Sequence, residues 1–492
     1  MKTIKILFYI SIVIIAFSSC RKLEDINANP NNVSESHPQL LLTAIEWNAF
    51  QVEGVSPLFA TRMVVQTDGE EPNQYYSWDR GSFDYYSRLR DVTKMMEEAT
   101  RIENTSYQAL AKFFRAWYFY KLTIQFGDIP YSQALLGEEE ALFTPVYDTQ
   151  KDVFVGILNE LKEANEMMGD DRIDGDIIYN GEATQWRKMI NSFRLKVLMS
   201  LSKKQGDANL NIAAEFAQIV NNEVLFESVE DNCQLVFVDQ LGNRYTEFNA
   251  SSYGSSRYGD STFVQKLRDH QDPRLFIFYE QTRNAKEAGL PVNDFNSYDG
   301  GNPVASPDVN NEKALAGNAS KVNSRYTTDP TTEPSVALGY PELQLILAEA
   351  VVRGWIAGDA KTYYDNAIMG SFAFYNTYAQ EYASWVNEAA ATNYLTQPIV
   401  DLENALTPEE KIEKIIIQKY FQSFLQGGWN AYLEHLRTGY PDFDYLPTST
   451  PPLRWMYPNA EYELNADNVS QAISSQFGAG NDQTRVATWW IN

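Results

Sequence analysis

The chain has 492 residues, enough for one large domain or two to three ordinary ones. Its 65 acidic residues against 40 basic ones give a net charge of −25, which argues against a nucleic-acid partner, since binding phosphates needs a basic surface. Hydrophobic residues make up 44%, so a substantial core can form, and only 2 cysteines are present, so disulfides do not hold it together.

In chain order, the first element is an address. Lys2 and Lys5 precede a nearly continuous apolar run from Ile6 to Phe17, then Ser18, Ser19 and Cys20. This is the layout of a secretory signal peptide over residues 1–19. The run of about twelve residues is too short to span a bilayer core that needs roughly twenty. Small residues followed by a cysteine resemble a bacterial lipobox, so Cys20 is the expected lipidation site, although Phe17 and Ser19 depart from its strictest form. Two or more acyl chains on one residue hold a protein to a membrane firmly. Arg21-Lys22-Leu23-Glu24-Asp25 is similar to the export signal that sends lipoproteins of Bacteroidota to the outer face of the outer membrane. With Cys20 committed to lipid, Cys233 has no internal partner. Residues 20–38, rich in Asn and Pro, read as a tether, and 39–492 as one domain.

Helical periodicity then dominates. Residues 108–126 are apolar on more than one side (Phe113, Phe114, Trp117, Tyr118, Leu122), which predicts a helix packed between others. Phe154, Ile157, Leu158, Leu161, Ala164 and Met168 share one face at helical spacing, behind a Thr149 cap. Trp186, Met189, Ile190, Phe193 and Val197 make another such face. Gln234 to Val238 is the best strand candidate, and residues 231–335 are otherwise an irregular, loop-rich insertion. Pro341 opens a helix containing Leu343, Ile346, Leu347 and Ala350. Thr407-Pro408-Glu409-Glu410 has the hydroxyl, proline and glutamate of a capping box. Residues 438–492 again read as irregular, with turns at Pro447, Pro451 and Pro452. The expected fold is therefore all-α: tetratricopeptide-like helical hairpins over about 85–225 and 336–437, with a few short strands. A 34-residue period is present only loosely.

A series of short motifs follows this frame. Gly127-Asp128-Ile129-Pro130-Tyr131 ends the aromatic helix, and Gly175-Asp176 leads into Trp186. Asp272-Pro273-Arg274, Ala348-Glu349-Ala350, Arg437-Thr438-Gly439-Tyr440-Pro441, Arg454, Tyr457-Pro458 and Trp489-Trp490 come after. In this order they resemble the SusD/RagB family of surface nutrient-binding lipoproteins, and most closely its SusD-like branch. The resemblance implies a helical scaffold carrying a loop-rich face. It also implies a lid-like partnership with a SusC-like TonB-dependent transporter and an oligosaccharide ligand, or a peptide in the RagB branch. It implies no enzyme and no cofactor. The motifs themselves read as architectural, with Arg437 and Arg454 paired to carboxylates or helix-end carbonyls.

Ligand-binding candidates are aromatics set in polar, non-helical sequence, since Tyr and Trp join an apolar face to a polar tip. Tyr75, Tyr76, Trp78, Asp79 and Arg80 form one cluster. Phe295, Tyr298 and Tyr326 form a second, with Asp299, Tyr253 and Tyr258 nearby in sequence. No metal is expected. Asp170, Asp174 and Gly175 fit an EF-hand loop, but Arg172 and Gly181 stand where it needs oxygen ligands. A helical glycosidase, which needs only two carboxylates, and a peptide-binding scaffold with a concave groove are the competing readings.

Overall fold

The computed structural model describes residues 37–492, so the signal peptide, Cys20 and most of the tether lie outside the described residues. The helices that frame the molecule are α1 (Pro38–Phe50), α2 (Asp84–Arg101), α3 (Thr105–Phe126), α4 (Gln150–Met167) and α5 (Ala183–Ser200). They are followed by α6 (Ser261–Asp269), α7 (Tyr340–Val352), α8 (Ala360–Tyr378), α9 (Pro408–Phe421), α10 (Asn430–Thr438) and α11 (Ala466–Phe477). Each has an apolar stripe to cover, and short connections make sequence neighbours fold back on one another. Thus α2 packs on α3, α3 on α4, α4 on α5, and α7 on both α8 and α9, while α5 joins the two halves through α7.

The caps explain the boundaries. Asn104 accepts from the Ser106 and Tyr107 N–H groups at the start of α3. Thr407 and Glu410 form the reciprocal capping box that opens α9. Helix α3 lies between α2, α4, α1 and α5, so the all-round apolar character of its sequence is used. Among the described residues no helix is long and apolar enough to cross a membrane.

Strand β1 (Val64–Gln66) pairs antiparallel with β3 (Arg257–Gly259), and β2 (Cys233–Leu235) with β4 (Ser335–Leu338). The expected strand 234–238 is thus shorter and shifted, because Val236 and Val238 leave the ladder and stand exposed. The β2–β4 pair closes the insertion at its base, while β1–β3 fastens it to the segment just after α1. The insertion is less irregular than its composition suggested, since it contains α6 and a further helix at Pro307–Leu315. The tail differs as well. Helix α11 turns Val469, Ala472 and Ile473 into the core, a stripe too short to stand out among prolines and polar residues.

The family-like motifs are buried struts. The Asp176 carboxylate accepts from the backbone N–H groups of Ile178, Tyr179 and Gly181 and from Trp186 Nε1, at 2.8–3.0 Å. Gly175 has φ +84, and a Cβ there would stand 2.3 Å from the Gln39 carbonyl oxygen, so only glycine fits. Arg274 is held by Asp272, Ser371 and Gln418. Arg454 donates to Asp482 at 2.7 Å and Arg437 to Glu349 at 2.5 and 2.7 Å.

Candidate functional site

Three loops meet on one face. The first follows β1: the buried Gln74 accepts from the Gln66 N–H at 2.8 Å and donates to the Pro303 carbonyl at 3.2 Å, joining loop 66–80 to loop 300–306. The Tyr75 hydroxyl reinforces this by donating to the Ala305 carbonyl at 2.7 Å. The third loop, 442–450, is tied in twice. Ser449 donates its hydroxyl to the Tyr75 carbonyl, and Arg62 Nε donates to the Asp444 carbonyl at 2.8 Å. The rim so formed presents Tyr75, half-buried, and Tyr445, 42% exposed, with Asn302, Asp68, Glu70 and Asp444 exposed around them. Burial, with Glu70 adding to it, raises the Tyr75 phenol pKa, so the hydroxyl stays neutral and remains a donor. Flat apolar faces beside carboxylates and an amide suit a neutral, hydroxyl-rich ligand. The acidic rim repels anions.

Beneath the rim, Arg62 and Tyr76 both adopt left-handed backbone conformations (φ 59 and φ 53), a strain that surrounding structure must hold in place. The Arg62 guanidinium lies 4.0 Å from the Tyr76 ring centroid and donates to the Gln74 carbonyl at 2.5 Å. Asp260, fully buried, caps α6 by accepting from the Thr262 N–H at 2.7 Å. Its other carboxylate oxygen meets no protein donor among the described residues. Burial pushes its carboxyl up to about 8, against the downward pull of Arg62 and Thr262. The native state therefore keeps a proton that an unfolded aspartate loses near pH 4. Stability from this group is complete at low pH and drains away as pH rises toward about 8. Asp260→Asn, which preserves a side-chain cap, should match the native chain near pH 4. At pH 8 it should exceed it by on the order of 5 kcal/mol, the carboxyl being displaced from 3.8 to about 8 and each pKa unit being worth about 1.4 kcal/mol. Urea titrations at the two pH values measure the difference, and parallel pH profiles for the two proteins would contradict it.

The structure separates the sequence-predicted residues. Tyr75 stands on the rim, and Asp79 is exposed but accepts from the Arg80 N–H at 2.6 Å. Arg80 is taken up by the Tyr457 carbonyl and by Asp482 at 3.0 Å. Trp78 turns inward, stacked on Trp455 at 5.5 Å and edge-on to Tyr76, Trp429 and Tyr432. Tyr76, Tyr298 and Tyr326 are buried, their rings covered by protein, and this corrects the expectation that they offer stacking faces. Tyr253 is buried too. Asp299 pairs with Lys313 at 2.7 Å. Phe295 is half-buried, at the edge of a separate groove. Tyr445, Asn302 and Asp444 were missed. Their only sequence signal is a tyrosine in a polar, proline-bounded stretch.

A cavity of about 70 Å³ between Asn232, Gln426 and Glu434 has room for a few waters but not for a sugar. Asp170 pairs with Arg187 and Asp174 lies by Arg172, and among the described residues no cluster of three or more His, Cys, Asp or Glu could hold a metal ion.

Residues 30–458 match the family described as "SusD-like", starch-binding and associating with the outer membrane. A SusD homologue from Bacteroides fragilis is 54% identical over 93% of this chain and 100% of its own, with a TM-score of 0.90. A Bacteroides vulgatus protein, a candidate outer-membrane nutrient binder, is 50% identical over the same shares, also with a TM-score of 0.90. A chitin-binding protein shares the fold at 23% identity, covering 93% of this chain and 100% of its own, with a TM-score of 0.73. No curated protein matches the chain. The chain belongs to the SusD-like family.

Proposed function

We propose that this protein captures neutral glycan oligomers on the face formed by loops 66–80, 300–306 and 442–450. It then delivers them, without cleaving them, to a SusC-like TonB-dependent transporter, while Cys20 lipid holds it to the outer leaflet. The observation that carries this reading is the convergence of Tyr75 and Tyr445 with Asn302 and the rim carboxylates on a scaffold whose family is described as starch-binding. Pyranose rings present flat C–H faces to aromatics and hydroxyls to carboxylates and amides, and the acidic rim favours neutral sugars over anionic ones.

Calorimetry against starch fragments, chitin oligomers and peptides tests it. The native chain should bind a neutral glycan. Tyr75→Ala with Tyr445→Ala should weaken that binding tenfold or more, because losing a stacked ring costs about 1–3 kcal/mol by analogy with nucleobases. Binding of peptides alone would replace the glycan reading by a peptide one, and an unchanged affinity in the double variant would remove this face from the site. In the native membrane the protein should co-purify with a β-barrel transporter, and recovery of the lipoprotein alone after gentle extraction would contradict the partnership.

A further inference from the structure

A second opening lies away from the three-loop face. The last turn of α6, with Gln265, Arg268 and Asp269, faces the loop that carries Asn293, Phe295 and Asn296 across a half-open groove of about 580 Å³. That volume lies within the range of small-ligand sites, about 300–1,000 Å³. The far wall is rigid. Phe295 packs on Phe276 with ring centroids 4.8 Å apart. The Tyr298 hydroxyl donates to the Val292 carbonyl at 2.7 Å, and Gln281 donates to the Leu290 carbonyl at 2.8 Å. Asp294 holds the Asn296 N–H at 2.9 Å. A ring fixed in this way stacks at little entropic cost.

The near wall has unspent donors. Among the described residues Arg268 has no carboxylate within ion-pair distance. Its two side-chain bonds, to Gln265 Oε1 at 3.4 Å and Asn296 Oδ1 at 3.3 Å, are long. The carboxylate that could have neutralised it, Asp269, instead accepts from Gln265 at 2.6 Å. An open guanidinium fork offers paired N–H donors, the geometry that two adjacent hydroxyls accept, with Asp269 ready to take their protons' hydrogen bonds. Asp269 and Asp294 together outweigh the one cation, so an anionic sugar is disfavoured.

We propose that this groove is a second saccharide subsite: one neutral pyranose unit stacks on Phe295 while Arg268 and Asp269 hold a pair of its vicinal hydroxyls. It rests on the glycan reading above. Helix α6 begins at the three-loop face, where the Thr262 hydroxyl donates to Asp444 at 3.3 Å, and ends at the groove. Its nine residues span roughly 13 Å at 1.5 Å per residue. A disaccharide cannot reach both places, whereas a longer chain can. The subsite therefore acts on polymers and raises their effective concentration at the face.

The test is affinity as a function of ligand length, using whichever glycan series binds the native chain, from the disaccharide to the soluble polymer. Phe295→Leu keeps the apolar packing on Phe276 but removes the flat face. Combined with Arg268→Gln, it should lower polymer affinity fivefold or more, leave the disaccharide unchanged and leave the melting temperature unchanged. Phe295→Leu alone should give part of the same loss. Polymer affinity unchanged in the combined variant, while Tyr75→Ala with Tyr445→Ala abolishes it, overturns the subsite and leaves the face standing. Equal losses for disaccharide and polymer also overturn it, since they place Phe295 at the primary site. A native chain that binds no glycan of any length sinks both proposals together.

Discussion

Replacing Arg437 by alanine should destabilise the protein by about 3–5 kcal/mol, the usual cost of removing one partner from a buried ion pair. The guanidinium lies on α10 and makes a two-pronged bond to Glu349 of α7, while also reaching Glu434 and the Ser202 hydroxyl at 3.0 Å. Arg437 and Glu349 have side-chain exposures of 2% and 0%, so neither partner can turn to water. Burial by itself would raise the Glu349 pKa; the Arg437 charge overrides it and holds the carboxyl at about 2. The sign is opposite to that at Asp260. Stability from Glu349 is present at neutral pH and is lost as pH falls from about 4.5 through about 2. Arg437→Ala should therefore lose most of this acid sensitivity together with its stability at pH 7. Arg437→Lys should recover little, because a single ammonium cannot serve both Glu349 oxygens in the arginine geometry. Urea denaturation at pH 7 and pH 3 reads both effects, and a loss under 1 kcal/mol would show that the pair is not a strut.

Trp78→Ala should cost a comparable amount, about 3–5 kcal/mol, as expected for truncating a buried aromatic side chain. The indole fills the space between Trp455, Trp429, Tyr432 and Tyr76, and no neighbour among these is flexible enough to collapse into the void. Trp78→Phe is the discriminating variant. Its ring keeps most of the packing and removes the indole N–H, which finds no acceptor among the described residues, so the loss should stay near 1–2 kcal/mol. Glycan affinity in that variant should equal that of the native chain. If Trp78→Phe instead folds with full stability and loses ligand, Trp78 contacts the sugar and the inward packing is not the state that binds.

The helical frame was legible because period and capping are local. Phe154, Ile157 and Leu161 point to one side wherever the chain is placed, and Thr407 with Glu410 closes its box within four residues. Burial of Trp186 followed from the same spacing. The pairing of the strands was hidden for the converse reason. A ladder such as Val65 with Tyr258 is made by residues far apart in the chain, and neither segment carries the signal alone.

For the proposed face the difference is sharper. Tyr75 and Tyr76 are adjacent in the same polar stretch, yet one reaches the rim and the other is sealed under Arg62. Arg80 has the donors of a sugar-binding residue, and Asp482, four hundred positions later, takes them. What the amino-acid order determined by itself was class: a mainly helical scaffold and the motifs that brace it. The tertiary structure alone decided which aromatic rings remain open. Composition supplies the rings, but whether a face is free depends on what distant segments pack against it, and that contact energy is settled only when loops 66–80, 300–306 and 442–450 come together.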